Sequence, residues 1–286
     1  MKEIADFIQK ESFEEFKKKY SKKYIEMNIM PIIEFINESN NKKFLIGGSQ
    51  GIGKSSFILI IMKTLEKFYN KKVLGLSLDN YYLKKSERKI LSKEIHPLLV
   101  TRGVPGTHNI KKLINHVQNF DNDNLPFSIP VFDKFKDDRI RKQITINKKY
   151  DLLILEGWCC GAKYLEKNYL KKNINILERK FDKDFKWRNF YNKKQKNEYQ
   201  SLFNLFDIKI FMKAPSFKYV LNWRLKQETN NKSKLDNVKK MNINEIKIFI
   251  QHYEKITKWM LKNSNNFADL IIKIDKKQNI TSVKKN

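Results

Sequence analysis

The residues best suited to chemistry in this 286-residue chain fall in one short loop, Gly48-Ser49-Gln50-Gly51-Ile52-Gly53-Lys54-Ser55. The spacing fits G-x-x-x-x-G-K-[ST]. Its glycines let the backbone bend until successive N–H groups point inward and cradle phosphates. A helix beginning near Lys54 adds the positive end of its dipole. Lys54 would reach the β and γ phosphates of a nucleotide as a point charge, and the Ser55 hydroxyl would ligate the Mg²⁺ that bridges them. We therefore read Gly48, Ser49, Gln50, Gly51, Ile52, Gly53, Lys54, Ser55 and Ser56 as nucleotide-binding residues, with ATP and Mg²⁺ as the implied cofactors.

Two carboxylates stand directly after apolar runs. Asp79 follows the run from Val73 to Leu78, and Glu156 follows the run from Tyr150 to Leu155. Phosphoryl transfer to a small alcohol needs a carboxylate beside the acceptor hydroxyl, to orient it and accept its proton, and Asp79 suits that task. Its competing role is a cap for the helix around Lys84 to Ser92. Glu156 lies where Walker B acids lie and would hold Mg²⁺ directly or through water. Arg102 or Arg139 would supply a guanidinium fork to a substrate carboxylate, and Arg224 would offset charge developing in the transition state. His108 is given a binding role only, and Trp158 reads as pocket wall or core packing.

These side chains need elements to hold them. Runs at Phe44–Ile46, 73–78, 150–155, Asp207–Met212 and Ala268–Ile274 have strand length, and helical patterns at Phe57–Leu65, 84–92, Tyr219–Glu228 and Asn244–Leu261 separate them. The alternation predicts an α/β fold of the P-loop NTPase kind, three layers with a mostly parallel sheet and helices on both faces. In such sheets the ligand sits beyond the carboxyl ends of the strands, where the P-loop, Asp79 and Glu156 all fall. Residues 2 to 38 read as two amphipathic helices broken near Tyr20 and Ser21. We accordingly divide the chain into N-terminal helices over 1–39, packing on the core, and a P-loop domain over 40–286. The polar stretch Thr229 to Lys240 reads as a mobile loop. The helix over 244–261, with Ile246, Ile248, Phe249 and Tyr253, reads as core that needs no ligand.

The net charge is +28, from 59 Lys and Arg against 31 Asp and Glu. The lysines are scattered through every segment alongside abundant Asn and Ile, so the excess reads as a solvated surface that attracts anionic substrates, and no nucleic-acid module accompanies it. Adjacent Cys159 and Cys160 read as reduced thiols, because bridging neighbours strains the ring. The start Met1-Lys-Glu lacks an apolar leader, and no apolar run approaches the ~20 residues of a membrane span. The expectation is a cytoplasmic protein.

Five segments together resemble the P-loop kinases of the D-glycerate 3-kinase type, within the uridine kinase, phosphoribulokinase and pantothenate kinase group: GSQGIGKS at 48–55, SLDNYYL at 77–83, RGVPGTHN at 102–109, PVFDK at 130–134 and LEGW at 155–158. NWRLKQE at 222–228 and FIQHYEKITKWML at 249–261 are similar too. The resemblance implies transfer from MgATP to a hydroxyl of D-glycerate or a similar small acid, with Asp79 as catalytic acid and Tyr81 and Tyr82 beside it. It implies further that Arg102, Gly103, Pro105, Gly106, Thr107 and His108 line the acceptor pocket, that Asp133, Lys134, Asp138 and Arg139 match a second acceptor segment, and that Arg224 is a lid arginine in a region around 215–240. Asn80 and Asn109 stand where the family carries acids, and the segment after Lys134 lacks the family's glycines. A nucleoside or pantothenate-type kinase and a nucleotide-dependent RNA-binding ATPase are the alternative readings.

Overall fold

The computed structural model describes residues 1–232 and 241–286. The chain opens with helix α1 (Lys2–Phe16), α2 (Lys22–Tyr24), a π turn over Ile25–Ile29 and α3 (Met30–Glu38). Strand β1 (Lys43–Gly48) leads into α4 (Lys54–Tyr69), β2 (Val73–Ser77), a 3₁₀ turn over Leu78–Tyr81, α5 (Lys85–Glu94) and α6 (Ile110–Asp121). There follow the hairpin β3 (Phe127–Asp133) and β4 (Asp138–Ile146), then β5 (Leu152–Gly157) and the short helices α7 (Lys167–Lys171), α8 (Ile176–Phe181), α9 (Lys186–Lys194) and α10 (Gln200–Phe203). The last elements are β6 (Ile208–Lys213), α11 (Phe217–Lys232), α12 (Ile243–Asn263), β7 (Leu270–Ile274) and β8 (Ile280–Lys285).

The strands assemble in the order β2-β5-β1-β6-β7-β8, the first five parallel and β8 antiparallel to β7. This is the expected mostly parallel α/β sheet. Its strands are apolar on both sides, and alternation divides them between two cores. Leu45, Leu153, Leu155 and Phe211 pack on one face with Leu113, Tyr253 and Met260. Phe44, Ile46, Ile154 and Ile210 pack on the other with Ile8, Ile33 and Ile61. Each such aliphatic side chain contributes about 1.5–3 kcal/mol on leaving water. The N-terminal helices thus cover one face of the sheet.

Local chemistry explains the breaks. Lys17 takes a left-handed φ of 57° and its N–H caps Phe13, ending α1, while the Ser21 hydroxyl accepts from the Tyr24 N–H at 3.2 Å and starts the next helix. Asn242 and Glu245 exchange hydrogen bonds in a capping box at the start of α12.

Three expectations need correction. Thr229 to Lys232 continue α11 rather than forming a loop. The rest of that stretch, 233–240, and with it part of the region around 215–240, lies outside the described residues. Ile248 is 53% exposed and does not belong to the buried face of α12, which carries Ile246, Ile250, Tyr253, Ile256 and Met260. The hairpin β3–β4 and the edge strand β8 were not expected as strands.

The segment between β5 and β6 is anchored by a buried ionic cluster. Asp182 accepts from Arg188 Nε at 2.6 Å and from the Trp187 N–H at 2.8 Å. Glu178 lies 3.6 Å from Arg188 and 3.2 Å from Lys255 of α12. All four side chains are essentially removed from water. The cluster therefore ties α8 and α9 to the helix that carries Phe249 and Tyr253.

Candidate functional site

β1 ends at Gly48, and the loop that follows turns back through Gly51 (φ +74°) and Gly53 (φ +99°) before α4 begins at Lys54. Both angles lie in the left-handed region that a side chain disfavours, which is why glycine is needed there. Lys54 Nζ donates to the carbonyls of Gly48 at 2.7 Å and Ser49 at 3.2 Å, and lies 4.0 Å from Glu156 Oε2. The lysine thereby braces the loop it serves. Ser49 Oγ and both amide atoms of Gln50 are buried with no hydrogen-bond partner, so the loop holds a hydroxyl and an amide N–H donor for which the oxygens of a phosphate chain would be acceptors.

Parallel pairing brings Glu156 into line with Ile46 on one side and Ser77 on the other. Ser55 Oγ donates to Glu156 Oε1 at 3.0 Å, and Ser77 Oγ donates to the same oxygen at 2.7 Å. A carboxylate and a hydroxyl at the mouth of a phosphate loop form a hard-oxygen donor set of the kind Mg²⁺ prefers. These residues fit the ion.

Asp79 stands in the 3₁₀ turn after β2, and Lys134 reaches it from the tip of the β3–β4 hairpin with Nζ 2.6 Å from Oδ2. The tip is itself fixed. Asp133 accepts from the N–H groups of Phe135 and Lys136, and Asp137 pairs with Arg102 and, at 3.0 Å, with the fully buried Arg88. Burial pushes the Asp79 carboxyl up, but the Lys134 ammonium, aided by Lys54, overrides it and holds the group down at about 2. Reciprocally, Asp79 raises Lys134 above its ordinary value.

A cavity of about 190 Å³ joins these groups. Of the nucleotide-binding residues named from sequence it is lined by Gln50, Gly51, Gly53, Lys54, Ser55 and Ser56, and of the others by Asp79, Tyr82, Arg102, Lys134, Glu156, Trp158 and Arg224. Gly48 and Ser49 present carbonyls to Lys54 instead, and Ile52 is buried in the core beneath the loop. Trp158 donates its ring N–H to the Gly103 carbonyl at 3.1 Å and meets Tyr253 edge-to-face at 4.9 Å, so it is pocket wall and packing at once.

Of the acceptor candidates, Arg139 and His108 do not reach the cavity, and neither do Gly103, Pro105, Gly106, Thr107, Asp133 and Asp138. Arg139 is drawn away by Glu87, which accepts its guanidinium at 2.6 Å, because the register of the hairpin points it toward α5. His108 is buried behind Tyr82, stacked on that ring at 4.1 Å and hydrogen-bonded to the Tyr199 hydroxyl. Burial lowers its pKa to about 3, leaving a neutral packing residue. The Asn residues at the family's acidic positions also lie outside the cavity lining. Asn109 caps α6 by accepting from the Lys112 N–H at 3.0 Å, and Asn80 accepts from the Phe132 N–H at 3.4 Å.

The cavity contains residues that sequence reasoning missed. Phe249 and Tyr253 line it from α12, and the Tyr253 hydroxyl donates to the Arg102 carbonyl at 3.0 Å. Their periodic placement reads equally as core, and only their position opposite Arg102 distinguishes them. Ser77, outside the cavity lining, donates to Glu156 and could have been found from its place at the end of β2, two residues before Asp79. Cys159 and Cys160 are free and buried, and burial raises both thiols far above their ordinary range. Among the described residues no helix is long and apolar enough to cross a membrane.

No family model matches the chain. It is 30% identical over 264 residues to the "Probable ATP-dependent kinase TDA10" of Saccharomyces cerevisiae, covering 83% of this chain and 86% of that protein. It is 28% identical over 245 residues to the "Uncharacterized kinase mug58" of Schizosaccharomyces pombe, covering 80% and 86%. Among solved structures it is similar in fold to a D-glycerate 3-kinase from Cryptococcus neoformans, with a TM-score of 0.70, 22% identity, and coverage of 90% of this chain and 96% of that one.

Proposed function

Because the chain belongs to the ATP-dependent P-loop kinases, we propose that it transfers the γ-phosphoryl group of ATP to a hydroxyl of D-glycerate or a similarly small hydroxy acid, in the cytoplasm. The observation that carries this reading is that Lys54 and Asp79 line one cavity. One supplies charge to the phosphates and the other a carboxylate to the acceptor alcohol.

Two features support a small acidic acceptor. Among the described residues the cavity is lined by four cations, Lys54, Arg102, Lys134 and Arg224, and by two carboxylates, Asp79 and Glu156, a balance that favours anions. Its volume of about 190 Å³ is below the usual range for larger organic ligands, which supports a compact acceptor over a nucleoside.

In this reading the acceptor oxygen bonds to the γ phosphorus as the bond to the β–γ bridging oxygen breaks, and ADP departs with its new charge facing Lys54. Asp79 accepts the hydroxyl's hydrogen bond, orients its lone pair, and takes the proton as the oxygen becomes acidic on bonding phosphorus. A carboxyl held near 2 is ionised at every physiological pH. Its part is therefore orientation first and basicity second. Arg102 grips the acceptor's carboxylate, and Arg224 offsets the charge that spreads over the transferring group. Ser55 and Glu156 would hold Mg²⁺, which when bound neutralises charge across the β and γ phosphates.

The test is a coupled ADP-release assay over D-glycerate, uridine and pantothenate. Acceptor-dependent release with glycerate is expected. Turnover of uridine or pantothenate without glycerate would overturn the acceptor, and ATP hydrolysis stimulated by RNA with no acceptor turnover would overturn the kinase reading.

A further inference from the structure

A second chamber of about 340 Å³ opens beyond the site, and four residues that also line the inner cavity form the waist between them: Arg102, Lys134, Arg224 and Phe249. The two differ in charge. The inner cavity sets two carboxylates, Asp79 and Glu156, against its cations. The outer chamber adds Lys85 to the three cations of the waist and, among the described residues, carries only the carboxylate of Asp137. That carboxylate is already engaged by Arg102 and, at 3.0 Å, by the buried Arg88. The outer chamber therefore holds the larger excess of positive charge, and its volume lies within the usual range for small ligands.

Its walls suit an anion with a short carbon body. Lys85, exposed on the first turn of α5, and Thr101 supply an ammonium and a hydroxyl. Val100 and Phe135, 39% and 45% exposed, supply apolar surface for a ligand to cover. The Arg102 guanidinium lies against the rings of Phe132 and Phe249, 5.6 and 5.5 Å from their centroids, which fixes its fork at the waist. Position limits what can happen there. Lys54, Ser55, Asp79 and Glu156 line the inner cavity and not the outer one, so a ligand confined to the outer chamber cannot react. No residue of the phosphate loop over 48–56 lines it either, so it leaves the nucleotide in place. What it shares with the inner cavity is Arg102 and Lys134, the cations that an acceptor's carboxylate needs.

We propose that the outer chamber binds a small phosphomonoester, the chemical class of the reaction's own product, and that its occupancy excludes the acceptor while ATP stays bound. A phosphomonoester carries about two negative charges near neutral pH, where a hydroxy acid carries one, so it gains more from the extra cation. Accumulated product then slows its own formation. The inference rests on the acceptor reading above.

Calorimetric titration of the full chain loaded with Mg²⁺ and the non-hydrolysable analogue AMP-PNP reads the chamber directly, because the analogue's γ-phosphoryl group fills the place that a product phosphoryl group would take in the inner cavity. One molecule of 3-phospho-D-glycerate is expected to bind per chain, at least tenfold more tightly than inorganic phosphate. Lys85→Gln is expected to weaken it about tenfold, with AMP-PNP affinity and the acceptor KM within twofold of wild type. Failure to bind the loaded chain, equal affinity in both proteins, or equal affinity for inorganic phosphate overturns the proposal. Initial rates need no variant: 3-phospho-D-glycerate is expected to compete with the acceptor and not with ATP, and competition with ATP overturns the assignment. A chain that binds no AMP-PNP overturns the phosphate site, and the same comparison of wild type with Lys85→Gln in the absence of nucleotide then decides the chamber. Binding in the expected pattern without turnover of any acceptor upholds the chamber and sinks only the transfer reaction.

Discussion

Replacing Lys134 by Met tests the pairing at the centre of the site. The Asp79 carboxyl sits at about 2 against an ordinary value of 3.8. At about 1.36 kcal/mol per pH unit this difference corresponds to roughly 2–3 kcal/mol in favour of the ionised form. The Lys134 side chain is 57% exposed, so water screens the pair and about 1 kcal/mol is the expected loss of stability at neutral pH. The sign follows from a depressed acid: the stabilisation is present above 3.8 and is lost as pH falls toward 2. Without the ammonium, burial is the largest remaining influence and carries Asp79 above its ordinary value, with Lys54 a smaller compensating charge. The kcat/KM profile of Lys134→Met should then acquire an acid limb between about pH 4 and 6, where the wild type is flat. A profile that superimposes on wild type from pH 4 to 8 would refute the argument that Lys134 keeps Asp79 ionised.

Asp79→Asn should lower turnover by about 10²–10⁴-fold while ATP affinity by titration stays within about threefold; equal turnover in both proteins removes the catalytic assignment. Tyr253→Phe deletes the bond to the Arg102 carbonyl and should raise the acceptor KM about fivefold, the worth of about 1 kcal/mol, with the KM for ATP unchanged. Asp182→Ala strands the buried Arg188 and should cost about 3–5 kcal/mol in denaturant unfolding; a loss under about 1 kcal/mol would show that the cluster does not anchor the segment.

The parallel strands were legible because each is a short, mostly apolar run with most of its residues buried, and Asp79 and Glu156 were legible because they stand where two of those runs end. Lys54 and Ser55 follow from a local pattern that no tertiary contact needs to complete. The β3–β4 hairpin and β8 were hidden for the opposite reason: β4 and β8 are rich in lysine and arginine, with exposed positions through much of their length. Arg139 misled because its spacing suits a substrate fork, while Glu87, 52 residues away in sequence, claims it. The same long-range blindness concealed Arg88, whose guanidinium is fully buried among the carbonyls of Leu83, Val100 and Asp137. Phe249 and Tyr253 carry an amphipathic period that a packed helix and a cavity wall share.

Among the described residues, the strands of the hairpin that delivers Lys134 pair only with each other and stand outside the six-stranded sheet. Lengthening or trimming that tip therefore disturbs no register on which the phosphate loop depends. Changes at the tip that keep Asp137 on the buried Arg88 can therefore reshape the side of the cavity that meets the alcohol, while the sheet that carries the phosphate loop keeps its register.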